Sequence, residues 1–172
     1  MNVRVGRRGA VDCRAAIDLP LSALSTWGQI RDFHRYARQD FFHAKIVVEG
    51  ELPRQGARLT LSHRYLGLVV ARVGRILIWR EGIGYAFSDL STRGPRAGFP
   101  HVLGYRIEPI SESRCRLHIQ VRGRWTATHV PRWAAHLWLV WVFGHVVRTV
   151  RNRLLLYQLW RRDQNADINL KR

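Results

Sequence analysis

The residue types in this chain best suited to acid–base chemistry are its eight histidines. His63 lies two residues after Leu61 in one apolar run, and His101 lies two residues before Leu103 in another. Because alternate residues of a strand share a face, we expect both imidazoles to point into the interior. Hydrogen-bonded interior histidines are more common than catalytic ones, so both are weak catalytic candidates.

Arg72 is the third weak candidate, because residues 68–73 are otherwise Leu, Val, Val, Ala and Val. An arginine in such a run is expected to be buried, and a buried guanidinium without a partner costs several kcal/mol. It therefore needs a carboxylate or an anionic ligand. Asp89, at the end of a neighbouring predicted strand, is the expected partner, and we favour structural pairing over ligand contact.

Several familiar kinds of site are excluded because the sequence lacks their motifs. The sequence has no zinc-ligand spacing, phosphate-binding glycine loop, serine elbow or dinucleotide fingerprint. Cys13 and Cys115 each fall inside a predicted strand, which favours two small buried side chains over a disulfide. We expect no cofactor and no metal.

The elements that must position these residues are indicated by their periodicities. Alternation over residues 10–18 predicts a half-buried strand, and helical spacing from Leu24 predicts one helix, or two short ones, ending near Phe41. A helix is predicted from Pro131 to about Trp160, long enough to cross a domain. Strands are predicted at residues 42–49, 57–65, 66–79, 85–88, 101–109 and 114–124. A length of 172 residues suits a single domain, which we place at residues 1–162 with a flexible tail at 163–172.

This order of elements resembles the START-related (SRPBCC) superfamily with the helix-grip fold, which includes birch-pollen-allergen-like proteins, polyketide cyclases and coenzyme Q-binding proteins. The similar segments are Ile17-Asp18-Leu19-Pro20, the Tyr105–Pro109 strand, the Cys115-Arg116-Leu117 strand and the terminal helix. The resemblance implies an α+β fold in which a curved seven-stranded antiparallel sheet wraps around the long C-terminal helix, with two short helices after strand 1. It also implies an internal cavity for lipids, quinones or polyketides.

The residues expected to line that cavity are those whose parity or helical face points inward. They are Leu61, His63, Arg72, Phe87, Asp89, His101, Leu103, Tyr105, Trp125, Trp133, Leu137 and Trp141. Binding of an apolar small molecule by a carrier or chaperone is the favoured function, since no convergent catalytic set is visible. A cyclase- or dehydratase-like enzyme using the same cavity is the alternative.

The formal net charge of +17, almost all of it arginine, indicates an anionic partner or a GC-rich genome. Residues 133–147 are apolar nearly all round but shorter than the roughly 20 residues that span a bilayer. Tryptophan followed by arginine is typical of a membrane interface, while a homodimer contact or deeper burial explains the helix equally well. Nucleic-acid binding rests on charge alone and is not favoured. We expect a cytoplasmic protein, peripheral to the inner membrane surface if it binds lipid.

Overall fold

A computed structural model describes residues 1–33, 43–50, 52–65, 68–91, 99–127 and 130–170. Within these ranges the chain forms eight strands and two α-helices, with a short 3₁₀ turn at Arg7–Gly9. The strands are β1 (Asn2–Val5), β2 (Ala10–Leu19), β3 (His43–Val48), β4 (Arg58–Tyr65), β5 (Leu68–Arg80), β6 (Gly84–Ser91), β7 (His101–Ser111) and β8 (Arg114–Arg124). The helices are α1 (Ala23–Ile30) and α2 (Arg132–Leu170).

All eight strands form one antiparallel sheet in the order β1-β2-β8-β7-β6-β5-β4-β3. Alternation gives this sheet a buried inner face, which is turned towards α2, and an outer face in solvent. In β8, Cys115, Leu117 and Ile119 are fully buried, while the residues between them are at least partly exposed, as predicted. Cys13 and Cys115 are both free and buried, which confirms the expectation that they do not form a disulfide.

The expected strand count was wrong by one. Residues 2–5 form an additional strand, whose residues pair with β2 from Asn2↔Arg14 to Val5↔Val11. This strand was missed because, among basic residues, its alternation of exposed and half-buried positions is hard to recognise in the sequence. Of the two expected short helices, α1 is present, and the second would fall at residues 34–42, outside the described residues. The terminal helix continues to Leu170, beyond its expected end near Trp160.

Helix α1 begins where the sequence supplies a cap. The Ser22 hydroxyl accepts a hydrogen bond from the Ser25 backbone N–H at 3.1 Å, which satisfies one of the unpaired donors of the first turn. Trp27 and Ile30, three residues apart, are buried against the inner face. The helix therefore closes one end of the sheet.

Helix α2 covers the inner face with one side only. The buried hydrophobic residues among those described are Ala135, Leu139, Phe143, Val150 and Leu154, at helical spacing, and the last four belong to the same hydrophobic core as the inward residues of the sheet. Arg132 donates to the Val5 carbonyl at 2.9 Å near the start of α2. Further along, Arg153 donates to the Gln29 carbonyl at 3.0 Å. These bonds fix the helix to β1 and α1.

This arrangement predicts different costs for two leucines of α2 that lie two positions apart. Leu139 is 2% exposed and Leu137 is 59% exposed. Leu139→Ala should lower the free energy of unfolding by about 2–5 kcal/mol, because it leaves a cavity in the core. The matched Leu137→Ala should change it by no more than about 0.5 kcal/mol. Urea denaturation followed by circular dichroism measures both, and equal losses would contradict the assignment of the buried side.

Candidate polar site on the inner face of the sheet

An ion pair lies within the otherwise apolar inner face. Arg72 on β5 is 4% exposed and Asp89 on β6 is fully buried. The Arg72 Nε donates a short hydrogen bond to the Asp89 carboxylate, and its Nη2 donates to the backbone carbonyls of Asp89 at 3.3 Å and of Phe99 at 3.1 Å. The prediction that Arg72 is buried and paired with Asp89 is therefore confirmed.

Two histidines approach the same carboxylate. The Nε2 atom of His63, on β4, lies 2.6 Å from Asp89 Oδ2, and the Nε2 atom of His101, on β7, lies 3.9 Å from it. The Nδ1 atom of His101 lies 2.7 Å from the Phe99 carbonyl oxygen, which can only accept, so Nδ1 carries a proton. The inward orientation expected for both histidines is confirmed. We refer to Arg72, Asp89, His63 and His101 as the polar cluster.

The polar cluster keeps Asp89 ionised. Burial alone would raise the pKa of this carboxyl, but the hydrogen bond from His63 and the electrostatic interactions with His101, His63 and Arg72 outweigh it. The net result is a pKa well below the usual range of an aspartate. A carboxylate that stays charged at neutral pH can hold cationic side chains in place inside an apolar surface.

Aromatic side chains border the polar cluster on the side nearest the start of α2. Phe99 stacks on His101 with ring centroids 4.8 Å apart and lies 6.2 Å from Trp125. Trp125 in turn meets Trp138 of α2 edge to face at 5.4 Å. We refer to Phe99, Trp125 and Trp138 as the aromatic rim. All three are partly exposed, so solvent reaches this end of the inner face.

The opposite end of the inner face, next to α1, is tightly packed. Tyr85 stacks against Trp79, lies 5.2 Å from Tyr105, and donates from its hydroxyl to the Ile30 carbonyl at 2.9 Å. Burial raises the pKa of Tyr85 well above its usual value, so the hydroxyl remains a neutral donor. A cavity of about 10 Å³ lies between these tyrosines and Arg153 and Leu154 of α2, which is room for about one water.

Most of the residues predicted to line the cavity lie on the inner face, but three do not. Leu61, Phe87, Leu103 and Tyr105 are buried there beside the polar cluster or further along the sheet, and Trp125 is in the aromatic rim. In contrast, Trp133, Leu137 and Trp141 are 69%, 59% and 55% exposed on the other side of α2. Their placement was wrong because α2 is apolar on both sides, so spacing alone could not select the buried one.

Sequence reasoning also missed Phe99, Trp138, Leu139 and Phe143. The last two recur four residues apart, a signal no weaker than that of Trp133 and Leu137. Within the described ranges, no group of three His, Cys, Asp or Glu side chains has an arrangement that could hold a metal ion. Neither described helix is long and apolar enough to cross a membrane.

Comparisons with known proteins define the fold. The START superfamily protein from Mycobacterium smegmatis matches with a TM-score of 0.68 and 13% identity, over 85% of this chain and 98% of the other. The Zhui aromatase/cyclase from Streptomyces sp. R1128 matches with a TM-score of 0.64 and 16% identity, over 85% of this chain and 92% of the other. Ara h 8.0201 matches with a TM-score of 0.63 and 10% identity, over 86% of this chain and 99% of the other. The sequence matches no family profile and no curated protein. The chain therefore shares the fold of these proteins, the helix-grip fold expected from the order of its elements.

The polar cluster predicts an asymmetry between its two charges. Asp89→Leu should destabilise the protein by about 3–5 kcal/mol, because it leaves the buried Arg72 guanidinium without its carboxylate. Arg72→Leu should cost less, since Asp89 keeps its contact with His63. The double variant Arg72→Leu/Asp89→Leu should be more stable than Asp89→Leu alone. Chemical denaturation of the three variants measures these differences, and an Arg72→Leu variant less stable than Asp89→Leu would refute the argument.

Proposed function

We propose that the protein is a non-catalytic carrier or chaperone that holds an apolar small molecule, such as a lipid, quinone or polyketide, between the inner face of the sheet and α2. The observation that carries this proposal is the polar cluster, set in an apolar surface next to the aromatic rim. Ligand sites commonly combine apolar walls with a few convergent polar groups that fix orientation. The fold shared with an aromatase/cyclase and a START superfamily protein supports the same reading.

The accessible end of the inner face is the end to which we assign the ligand. Tyr85 and Tyr105 at the α1 end are 1% and 4% exposed, and the cavity beside them has only about 10 Å³. At the other end, the side chain of His101 is 15% exposed and the aromatic rim is partly open. An apolar body would rest on Trp125 and Trp138, and a carbonyl or hydroxyl group would reach His101.

A cyclase- or dehydratase-like enzyme is the second candidate, and the observation that favours it is the contact of both histidines with Asp89. A carboxylate that orients an imidazole is a common element of general acid–base catalysis. His101 would be the acid or base, because its ring is partly exposed while His63 is only 3% exposed. In that case substitution of His101 would abolish turnover and leave ligand binding measurable.

The carrier proposal predicts that an apolar molecule co-purifies with the protein. Native mass spectrometry should show a mass above that of the chain, and organic extraction should release the molecule. The neutral probe N-phenyl-1-naphthylamine should then bind the extracted protein with one-to-one stoichiometry.

Trp138→Ala should weaken probe binding by about tenfold, or 1.4 kcal/mol, because Trp138 belongs to the aromatic rim. The matched Trp133→Ala should leave binding unchanged, since Trp133 lies on the exposed side of α2. A folded protein without a bound hydrophobe or probe affinity would eliminate the proposal.

The exposed side of α2 supports loading of the ligand at an anionic membrane surface. Trp133, Leu137 and Trp141 recur every four residues and are all more than half exposed, and the exposed Arg148 and Arg151 follow them along the helix. Tryptophan and arginine together suit the boundary between headgroups and acyl chains. Each arginine near an anionic surface contributes about 1 kcal/mol, an attraction that salt screens over about 8 Å.

The membrane proposal predicts recruitment to vesicles that contain phosphatidylserine, with release as salt rises, and weak binding to phosphatidylcholine vesicles. Replacing both Trp133 and Trp141 by alanine should reduce cosedimentation by about tenfold. Trp160→Ala is the matched control, because Trp160 is 58% exposed but lies towards the other end of the helix. Equal binding to both vesicle types would contradict the proposal. Absence of binding together with a dimeric mass in solution would instead assign this side of α2 to a homodimer contact.

A further inference from the structure

The outer face of the sheet contains a groove that the proposed carrier function does not use. Its volume is about 480 Å³, and it lies across strands β2, β8, β7, β6 and β5. Strand pairing aligns one row of outward positions across all five strands: Arg14, Gln120, Gly104, Ala86 and Ile78. The next row aligns His118, Arg106, Gly84 and Arg80. Small residues at the centre of both rows form the floor of the groove.

Gly104, one of the floor residues, does not need to be glycine for its backbone conformation. Gly84 has a φ of +156°, and a Cβ there would lie 2.1 Å from the Tyr105 carbonyl oxygen, so its backbone demands glycine. Gly104 has no such φ, and a Cβ would make ordinary contacts at 3.5 Å with the Ala86 Cβ and 3.7 Å with the Tyr85 oxygen. Glycine inside a strand costs roughly 0.5–1 kcal/mol relative to alanine. A strand glycine often marks a bulge, a tight bend, or the close approach of a ligand or another backbone, and the pairing of Gly104 with Ala86 and Gln120 shows no bulge.

The sides of the groove are cationic. Arg14, Arg80, Arg106 and Arg122 line it together with His118 and Gln120, and its lining contains no carboxylate. Two carboxylates adjoin it. Asp12 lies 2.6 Å from Arg14 and 4.0 Å from Arg122, and Glu108 lies 3.4 Å from Arg106 and 2.7 Å from His118. Four arginines against two carboxylates leave the groove positively charged.

The groove also has an apolar end. Ile78 and Ile83 contribute to its lining and are 47% and 50% exposed. A volume of about 480 Å³ lies within the range of small-molecule sites, roughly 300–1,000 Å³. Arginine forks match the oxygens of phosphate groups with paired hydrogen bonds. The groove therefore offers several phosphate-binding side chains next to an apolar surface.

We propose that this outer groove is a binding site for a small organic polyphosphate, whose phosphate oxygens contact the arginines and whose body lies over Gly104 and Ala86 towards Ile78. The site is separate from the inner face, because alternate residues of the same strands face opposite ways. Tyr105 also borders the groove, but the residue is buried in the core, whereas its neighbours Gly104 and Arg106 lie on the outer face. The two sites can therefore be tested independently.

The experiment is isothermal titration calorimetry of the full chain with adenosine 5′-triphosphate and with inorganic tripolyphosphate, at low and physiological salt. One molecule of adenosine triphosphate should bind per chain, more tightly than tripolyphosphate because the apolar end contacts its base. Gly104→Val should weaken binding by at least about tenfold, equivalent to 1.4 kcal/mol, by filling the floor without changing the charge. Valine suits a strand interior, so folding should be preserved, and thermal unfolding checks this.

Two arginines of β5 provide a matched pair of variants. Arg80 lines the groove and Arg75, also exposed, does not. Arg80→Gln should weaken binding of adenosine triphosphate several-fold and Arg75→Gln by less than twofold, although each removes one positive charge. Equal effects of the two, or wild-type affinity in a folded Gly104→Val variant, would show that the anion senses only diffuse charge and would overturn the proposal. Binding of N-phenyl-1-naphthylamine to Gly104→Val should remain unchanged, so failure of this proposal is distinguishable from failure of the carrier function.

Discussion

The rest of the structure depends on the burial of one apolar sheet face against one side of α2. The inward residues of β2, β4, β6, β7 and β8 are almost completely buried, and Leu139, Phe143 and Leu154 of α2 belong to the same core. Burial of apolar surface stabilises the fold by about 25 cal/mol per Å². Because only one side of α2 is needed for this, the tryptophans on its other side remain available for a partner.

Within that core, the polar cluster is the point where electrostatics and packing oppose each other. Moving Arg72 and Asp89 out of water is unfavourable, and this cost is offset by the hydrogen bonds from Arg72 to the carboxylate and carbonyl of Asp89 and to the carbonyl of Phe99. The Arg72 bond to the Phe99 carbonyl also links the middle of the sheet to the residues just before β7. The polar cluster is thereby connected to Phe99, one of the three residues of the aromatic rim.

The sequence predicted the fold more completely than the site, for a physical reason. Alternation along a strand shows directly which residues share a face, so β2 and β8 were located almost to the residue. Arg72 could be paired with Asp89 because a buried arginine within an apolar run needs a carboxylate. Helix α2 lacks such a contrast, since Trp133, Leu137 and Trp141 are as apolar as Leu139 and Phe143. Only the position of the sheet decides which side is buried, and that is a tertiary property.

The outer groove and the aromatic rim were not visible in the sequence for another reason. Gly104 and Ala86 become neighbours only through strand register, and Phe99, Trp125 and Trp138 come from three separate segments. Register depends on how successive turns set the pairing of strands, and a one-residue slip would move Gly104 to the opposite face. Sites assembled across strands therefore require coordinates.

The four residues of β1 also reduce the tendency of the chain to associate with other copies of itself. They occupy one edge of the sheet, where they pair with Val11 to Arg14 of β2 and lie beside α2. Without them, residues 11–14 of β2 would add unpaired N–H and C=O groups to this edge, and such groups are a template for edge-to-edge association and aggregation. Trimming the first five residues would thus cost the protein solubility as well as the packing of Val3 and Val5 against the core, although the segment looks like a dispensable basic extension.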